Sequence, residues 1–304
     1  MIEDLILTVL LTSVPLIYAA TGELIVERSG VLNLGVEGMM LMGAVSAFGI
    51  SMVSGSLVLG IVAGGFAGMF TAALFGILVL FFTTNQVATG LALTIFGTGL
   101  SGLVGAPLIG HAIEGLPVIN IPGLSNLPIL GKLVFSHDWM AYGSVLILAA
   151  VAFFLKRTRA GLVLRSIGDN HDSAHALGYS VLGVRFIAIL FGGFTAGLGG
   201  AYIPLMLTPH WAEGMTAGRG WIALALVVFA SWMPWRILVG ALLFGGITIM
   251  QLAGQARGWT IPSQFLSMLP YLATIAVLVV LSGSRELSLV NTPACLGRNF
   301  RVGD

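Results

Sequence analysis

Charge is what this chain has least of. Only 8% of its 304 residues are Asp, Glu, Lys or Arg, against about a quarter in soluble domains, and the mean hydropathy is +1.03. That excludes a soluble domain. The formal net charge of +1 gives no argument for a nucleic-acid partner. Lysine is scarcer still, with Lys132 and Lys156 the only two. A phosphate-binding Walker loop needs Gly-Lys followed by Ser or Thr. The settings Gly131-Lys132-Leu133 and Leu155-Lys156-Arg157 do not supply one, so any ATP hydrolysis belongs to another subunit. A single cysteine, Cys295, allows no intrachain disulfide. There is no paired-aspartate motif and no Ser with His at membrane depth, which excludes an intramembrane enzyme.

Long apolar runs are what is present. Stretches of about twenty residues mark transmembrane helices, and nine are expected, near 5–22, 31–53, 57–82, 86–105, 138–155, 186–207, 219–233, 237–254 and 266–283. The predicted fold is an all-α polytopic bundle over residues 1–283. It carries a polar extramembrane loop at 106–137, a basic loop at 156–185 and a polar tail at 284–304. Acids rather than bases open the chain (MIEDLILTVLL), so the first run reads as a retained helix, not a signal peptide. With nine alternating spans and the 156–185 loop inside, ten bases fall on the cytoplasmic side and only Lys132, Arg219 and Arg257 fall outside. By the positive-inside rule the expected topology is N-terminus out, C-terminus in. Thr89–Phe96 resembles Trp221–Phe229 and would run antiparallel to it, as inverted repeats of transporters do. The spacing of Gly60, Gly64 and Gly68 reads as a close-packing stripe.

The polar residues gather in the 156–185 loop. Asp169 or Asn170 can cap a helix there, and Gly178 can end it in the left-handed conformation. A two-turn helix over 169–178 is expected, with His171 and His175 facing solvent. Their i, i+4 spacing lacks the glutamate and third ligand of a zinc site, so no metal is expected. Within or beside the spans, Asn33, Glu37, Asn85, Gln86, Thr89, Thr94, Thr98, Trp221 and Gln251 are the candidates to line a polar path. Glu37 is read as the only acid at depth, which leaves an ion-coupled secondary transporter poorly equipped.

The pattern TRAGLVLRSIGDN at 158–170, Ala174, ALGY at 176–179 and GGFTAGLGGAY at 192–202 resembles permeases of ABC importers of the branched-chain amino acid, ribose and nucleoside type. ERSGVLNLGVEGMMLMGA (27–44), GRGWIALALVVFASWMPWRILVGALLFGG (218–246) and TPACLGRNF (292–300) are similar to signatures of its simple-sugar/nucleoside subgroup. The resemblance implies an ATP-driven importer working by alternating access in a bacterial inner membrane. It also implies that residues 169–178 form a coupling helix against a separate ATPase, with Arg159, Gly161, Arg165, Gly168, Asp169, Asn170, Ala174 and Gly178 as coupling residues. The implied partners are that ATPase with its ATP, a second and non-identical permease, an extracytoplasmic binding protein and membrane lipid, with no cofactor on this chain.

Overall fold

The computed structural model describes residues 2–120, 135–256, 258, 262–282 and 291–301. Its helices are α1 (Ile2–Arg28), α2 (Val36–Ser54), α3 (Leu57–Gly76), α4 (Gln86–Gly105), α5 (Trp139–Arg157) and α6 (Arg159–Asp169), followed by α7 (His171–Ala176), α8 (Val181–Tyr202), α9 (Arg219–Phe229), α10 (Pro234–Ala256), α11 (Ser263–Ser267) and α12 (Leu269–Ser282). Short π-helical stretches extend α3 through Ile77–Phe81 and α8 through Ile203–Leu207. Among the described residues seven helices are long and apolar enough to cross a membrane, built on α1, α2, α3, α4, α5, α8 and α10. The fold is an all-α membrane bundle. A two-residue antiparallel pairing, Ile119 with His137 and Asn120 with Ser136, ties the two ends of the 106–137 loop together; residues 121–134 of that loop lie outside the described set.

Helix α8 is the hub, packed against α1, α2 and α3. Its many glycines make this possible, because without a Cβ the backbones come into direct contact. A Cβ on Gly64 would meet the Gly43 carbonyl at 2.8 Å, and one on Gly68 would lie 2.7 Å from the Gly197 Cα. The expected stripe on α3 is therefore one half of a glycine-on-glycine contact whose other half comes from α2 and α8.

Of the nine expected spans seven are long apolar helices among the described residues; the run at 266–283 gives only the fourteen residues of α12, and two others are helical over part of their expected length. The run at 31–53 is helical only from Val36. Gly30, at φ +91°, turns the chain at the end of α1, and Asn33 then sits beside Glu23. Residues 29–35 therefore double back along α1 as non-helical chain before α2 begins. The run at 219–233 is helical only to Phe229, because Ser231 and Trp232 adopt positive φ. At 1.5 Å per residue, the eleven residues of α9 reach about 16 Å, roughly half of a ~30 Å hydrocarbon core.

Candidate functional site

The start of α2 and the start of the half-length α9 meet. Glu37, in the first turn of α2, is 7% exposed and turns its carboxylate onto the start of α9. Oε1 accepts from Thr216 Oγ1 (2.6 Å) and Gly218 N (2.8 Å), and Oε2 accepts from Gly220 N (2.6 Å). A carboxylate here satisfies helix N–H groups that have no intrahelical partner and sits at the positive end of the helix dipole. The contact needs Gly220, since a Cβ there would fall 2.5 Å from the Glu37 backbone. The Arg219 Nη1 donates back to the carbonyls of Met215 and Thr216, and Tyr271 OH donates to the Ala217 carbonyl. Trp221 lies next along α9, half-buried.

The chain leading into α2 is held just as closely. Asn33, fully buried, accepts from Gly35 N through Oδ1 (3.0 Å), and its own N donates to Glu23. Thr94 donates to the Leu34 carbonyl (2.9 Å). Gln86 accepts from Leu32 N (2.8 Å) and donates to Asn299 Oδ1 (3.0 Å). At the far end of α9, Trp232 Nε1 donates to Glu27 (2.6 Å) and Arg28 donates to the Trp232 carbonyl.

These contacts revise the reading of the polar residues. Gln86 and Thr94 are 3% and 8% exposed and bonded to backbone across the interface, so they hold α4 to the doubled-back chain rather than facing a path. Thr89 pairs with Thr84 and Asn85 caps α4 through Ala88 N. Thr98 is exposed, bonding only the carbonyl one turn below it, and Gln251 on α10 is half-buried. The four residues Gln86, Thr89, Thr94 and Thr98 therefore do not form one wall. Nor is Glu37 the only acid at depth: Glu23 and Glu27, each 1% exposed, lie within α1. A window dominated by apolar neighbours hides single acids, which is why they escaped notice. Thr216, Gly218 and Gly220 were also missed as Glu37's partners, although the Gly-Arg-Gly opening of an apolar run was a visible sign of a half-helix start.

The second site lies between α5 and α8. The helix expected over 169–178 is the shorter α7, and a separate helix, α6, precedes it and ends at Asp169. Thr158 caps α6 through Gly161 N (3.0 Å), and Asn170 caps α7 through Ser173 N (2.9 Å). Of the two proposed caps only Asn170 serves, since Asp169 ends α6 with its side chain exposed. Gly178 does take the left-handed conformation, φ +87°, and its N–H donates to the His175 carbonyl (2.8 Å). Gly168 rests on the carbonyl of Arg28, where a Cβ would clash, and Gly161 likewise on that of Phe154. Arg159 is exposed and Arg165 half-buried. Ala174 is buried with Ile167, Val181 and Phe300. The outward surface of α6, α7 and the following turn is mixed: Leu162, Leu177 and Tyr179 are 56%, 78% and 44% exposed, among exposed polar residues that include Asp169, Asp172 and His175, around a crevice lined by Ser166, Asn170 and Ser173.

His175 is exposed as expected, but His171 is not. It is 8% exposed, lies edge-on to Phe300 and faces the fully buried Arg185, whose Nη2 is 3.1 Å from its Nδ1. Burial, then the positive charge of Arg185 and more weakly Arg298, hold its pKa below the ordinary value, outweighing Asp172. Neutral imidazole suits this contact, since Nδ1 can then accept from the guanidinium. Spacing alone could not reveal this, because Arg185 and Phe300 come from other parts of the chain. Among the described residues no group of acids, histidines and cysteine could hold a metal.

An α-helical membrane bundle in which a half-length helix starts against a buried carboxylate suits a transport protein. Residues 5–278 match the family described as "Branched-chain amino acid transport system / permease component", and the chain belongs to that family. It is 40% identical to the putative glucose ABC transporter permease protein TsgC13 of Haloferax volcanii, over 86% of this chain and 87% of that one. It is also 30% identical to the nucleoside ABC transporter permease protein NupC of Lactococcus lactis and to the guanosine ABC transporter permease protein NupQ of Bacillus subtilis, in both cases over 93% of each chain. The protein is thus the membrane permease subunit of an ATP-driven ABC importer, working with a separate ATPase and a substrate-binding protein.

Proposed function

We propose that the chain imports a neutral ring-bearing solute, a nucleoside, nucleobase or simple sugar, through a path passing the α2–α9 junction. The observation that carries this is the engagement of both Glu37 carboxylate oxygens by three donors of its own chain. It builds the junction without leaving a carboxylate available for a cationic solute, and the sugar and nucleoside permeases named above fit that chemistry. Asn33 and Glu37 shape the junction, while Trp221, Thr98 and Gln251 keep surface open to a solute. In this reading the spans number nine, with α9 and α12 added to the seven long helices, the N-terminus outside and the C-terminus in the cytoplasm of a bacterial inner membrane. The stretches around Thr89 and Trp221 then belong to antiparallel repeats. The α6–α7 pair seats in a groove of the ATPase, where ATP is bound, and the path opens between this chain and a second, non-identical permease. The chain itself carries no cofactor.

Uptake of labelled guanosine, adenine, ribose and glucose by cells carrying the whole transporter tests the substrate class. A transporter that accepted leucine and none of these solutes would overturn it. Crosslinking from Ser173→Cys to the co-expressed ATPase, in a Cys295→Ser background, tests the docking face.

A further inference from the structure

The tail signature TPACLGRNF (292–300) is not used by any of the functions above, yet residues 291–301 are folded onto the bundle at every turn. The Arg28 Nη1 donates to the Asn291 carbonyl. Cys295 N donates to the Gly168 carbonyl at the end of α6 (2.8 Å), and Gly297 N donates to the Gly30 carbonyl at the end of α1 (3.1 Å). Arg185 of α8 donates to the Arg298 carbonyl (3.1 Å) and, on its other side, to the Ser29 carbonyl (3.0 Å). Phe300, 6% exposed, has its ring centroid 5.3 Å from both His171 and His175. One residue earlier, Asn299 donates to the carbonyls of Thr83 and Thr84 (2.9 and 3.2 Å) in the α3–α4 turn. Its Oδ1 accepts from Gln86.

Gln86 is what makes this more than a docked tail. Its other amide end accepts from Leu32 N, inside the doubled-back chain. Asn33 then fixes Gly35, and two residues further Glu37 holds α9. A series of ring contacts, hydrogen bonds and short backbone links therefore runs from α7 through Phe300, Asn299 and Gln86 to the α2–α9 junction. The principal packing partners of the six-residue α7 are its neighbours α6 and α8, not α2 or α9.

We propose that the C-terminal segment transmits the displacement of the α6–α7 pair to the α2–α9 junction, with Asn299 and Gln86 as its positioning residues. The inference rests on the reading of α6–α7 as the ATPase-docking face. A spatial chain of contacts becomes a coupling route only when breaking it changes coupling and nothing else. The experiment uses the whole transporter, with its ATPase and binding protein, reconstituted in lipid. Asn299→Ala should retain the ATPase through purification and keep its basal hydrolysis, while the stimulation by substrate-loaded binding protein falls at least ~5-fold, the lower end of measured coupling between sites. Gln86→Met should do the same, and the double variant should be no worse than either alone, since both interrupt one series. Normal stimulation in both variants, effects that simply add, or loss of the ATPase from Asn299→Ala would overturn the proposal. If instead the docking face has been misassigned, Gly178→Val will retain the ATPase, a result independent of Asn299.

Discussion

The α2–α9 junction and the α6–α7 pair each include a short helix, yet they are built on opposite physical terms. At the junction the central polar group is buried and paired: one carboxylate meets three donors across 179 to 183 positions of sequence. At the α6–α7 pair the caps Thr158 and Asn170 are local, and the large apolar side chains Leu162, Leu177 and Tyr179 are left exposed. A buried polar network has a low tolerance for loss of any member, because each orphaned group keeps its desolvation cost. An exposed apolar face costs the isolated chain little and becomes valuable when a partner covers it. The first region is designed to hold a geometry, the second to receive a neighbour.

Breaking each region should show that contrast. The largest effect is expected for Glu37→Leu, which leaves the Thr216 hydroxyl and two backbone N–H groups without an acceptor. With ~1–3 kcal/mol for each buried group left unpaired, a loss of ~3 kcal/mol or more is expected, read as a sharply lower melting temperature of the detergent-solubilised permease. Glu37→Gln should recover part of it. A melting curve for Glu37→Leu matching the parent would show that the junction does not hold the fold.

Next comes Gly178→Val. A β-branched residue at φ +87° is strained by ~1–3 kcal/mol. The expected outcome is normal insertion and melting of the permease with loss of ATPase co-purification, the reverse of the Glu37 pattern. Asn170→Ala should cost about 1 kcal/mol of local helix stability and weaken ATPase retention, whereas Asp169→Ala, which removes no cap, should leave retention unchanged. Equal effects from the two would contradict the assignment of the cap.

The smallest effect is a dependence on pH. His171 has its pKa held below the ordinary value by burial and by Arg185 and Arg298, against Asp172. Its neutral form therefore favours the folded pair fully above the unfolded pKa, ~6.5, and the contribution is lost as pH falls through the lower folded value. ATPase retention should weaken modestly on washing at pH 5.5, and His171→Gln, which cannot titrate, should flatten that response. An unchanged pH response in His171→Gln would assign the effect to other groups.

How much of this was legible beforehand follows from the range of each interaction. The caps and stops were readable: Asn170, three residues from the N–H it holds, and Gly178, whose conformation is a property of the residue itself. So was the Gly60, Gly64, Gly68 stripe, which repeats within one helix. Asp169 was over-read because two adjacent residues can both cap, and only the backbone path selects one. The helix over 169–178 came out shorter for the same reason, since α6 extends through Asp169. Gln86 looked like a path residue because it is polar at the start of an apolar run. Its partners, Leu32 and Asn299, lie 54 residues before it and 213 after it.

By itself, then, the sequence determined the membrane class, the rough placement of the long apolar helices, the lack of a nucleotide-binding loop and the local punctuation of the α6–α7 pair. These rest on composition and on contacts between residues a few positions apart. The tertiary structure decided that two apolar runs are broken, that Glu37 caps α9, that His171 is buried and that the tail lies across the helix ends. Each of these is a choice of partner for a buried polar group. Desolvation requires such a group to find a partner, but nothing in its own neighbourhood of the chain says which one.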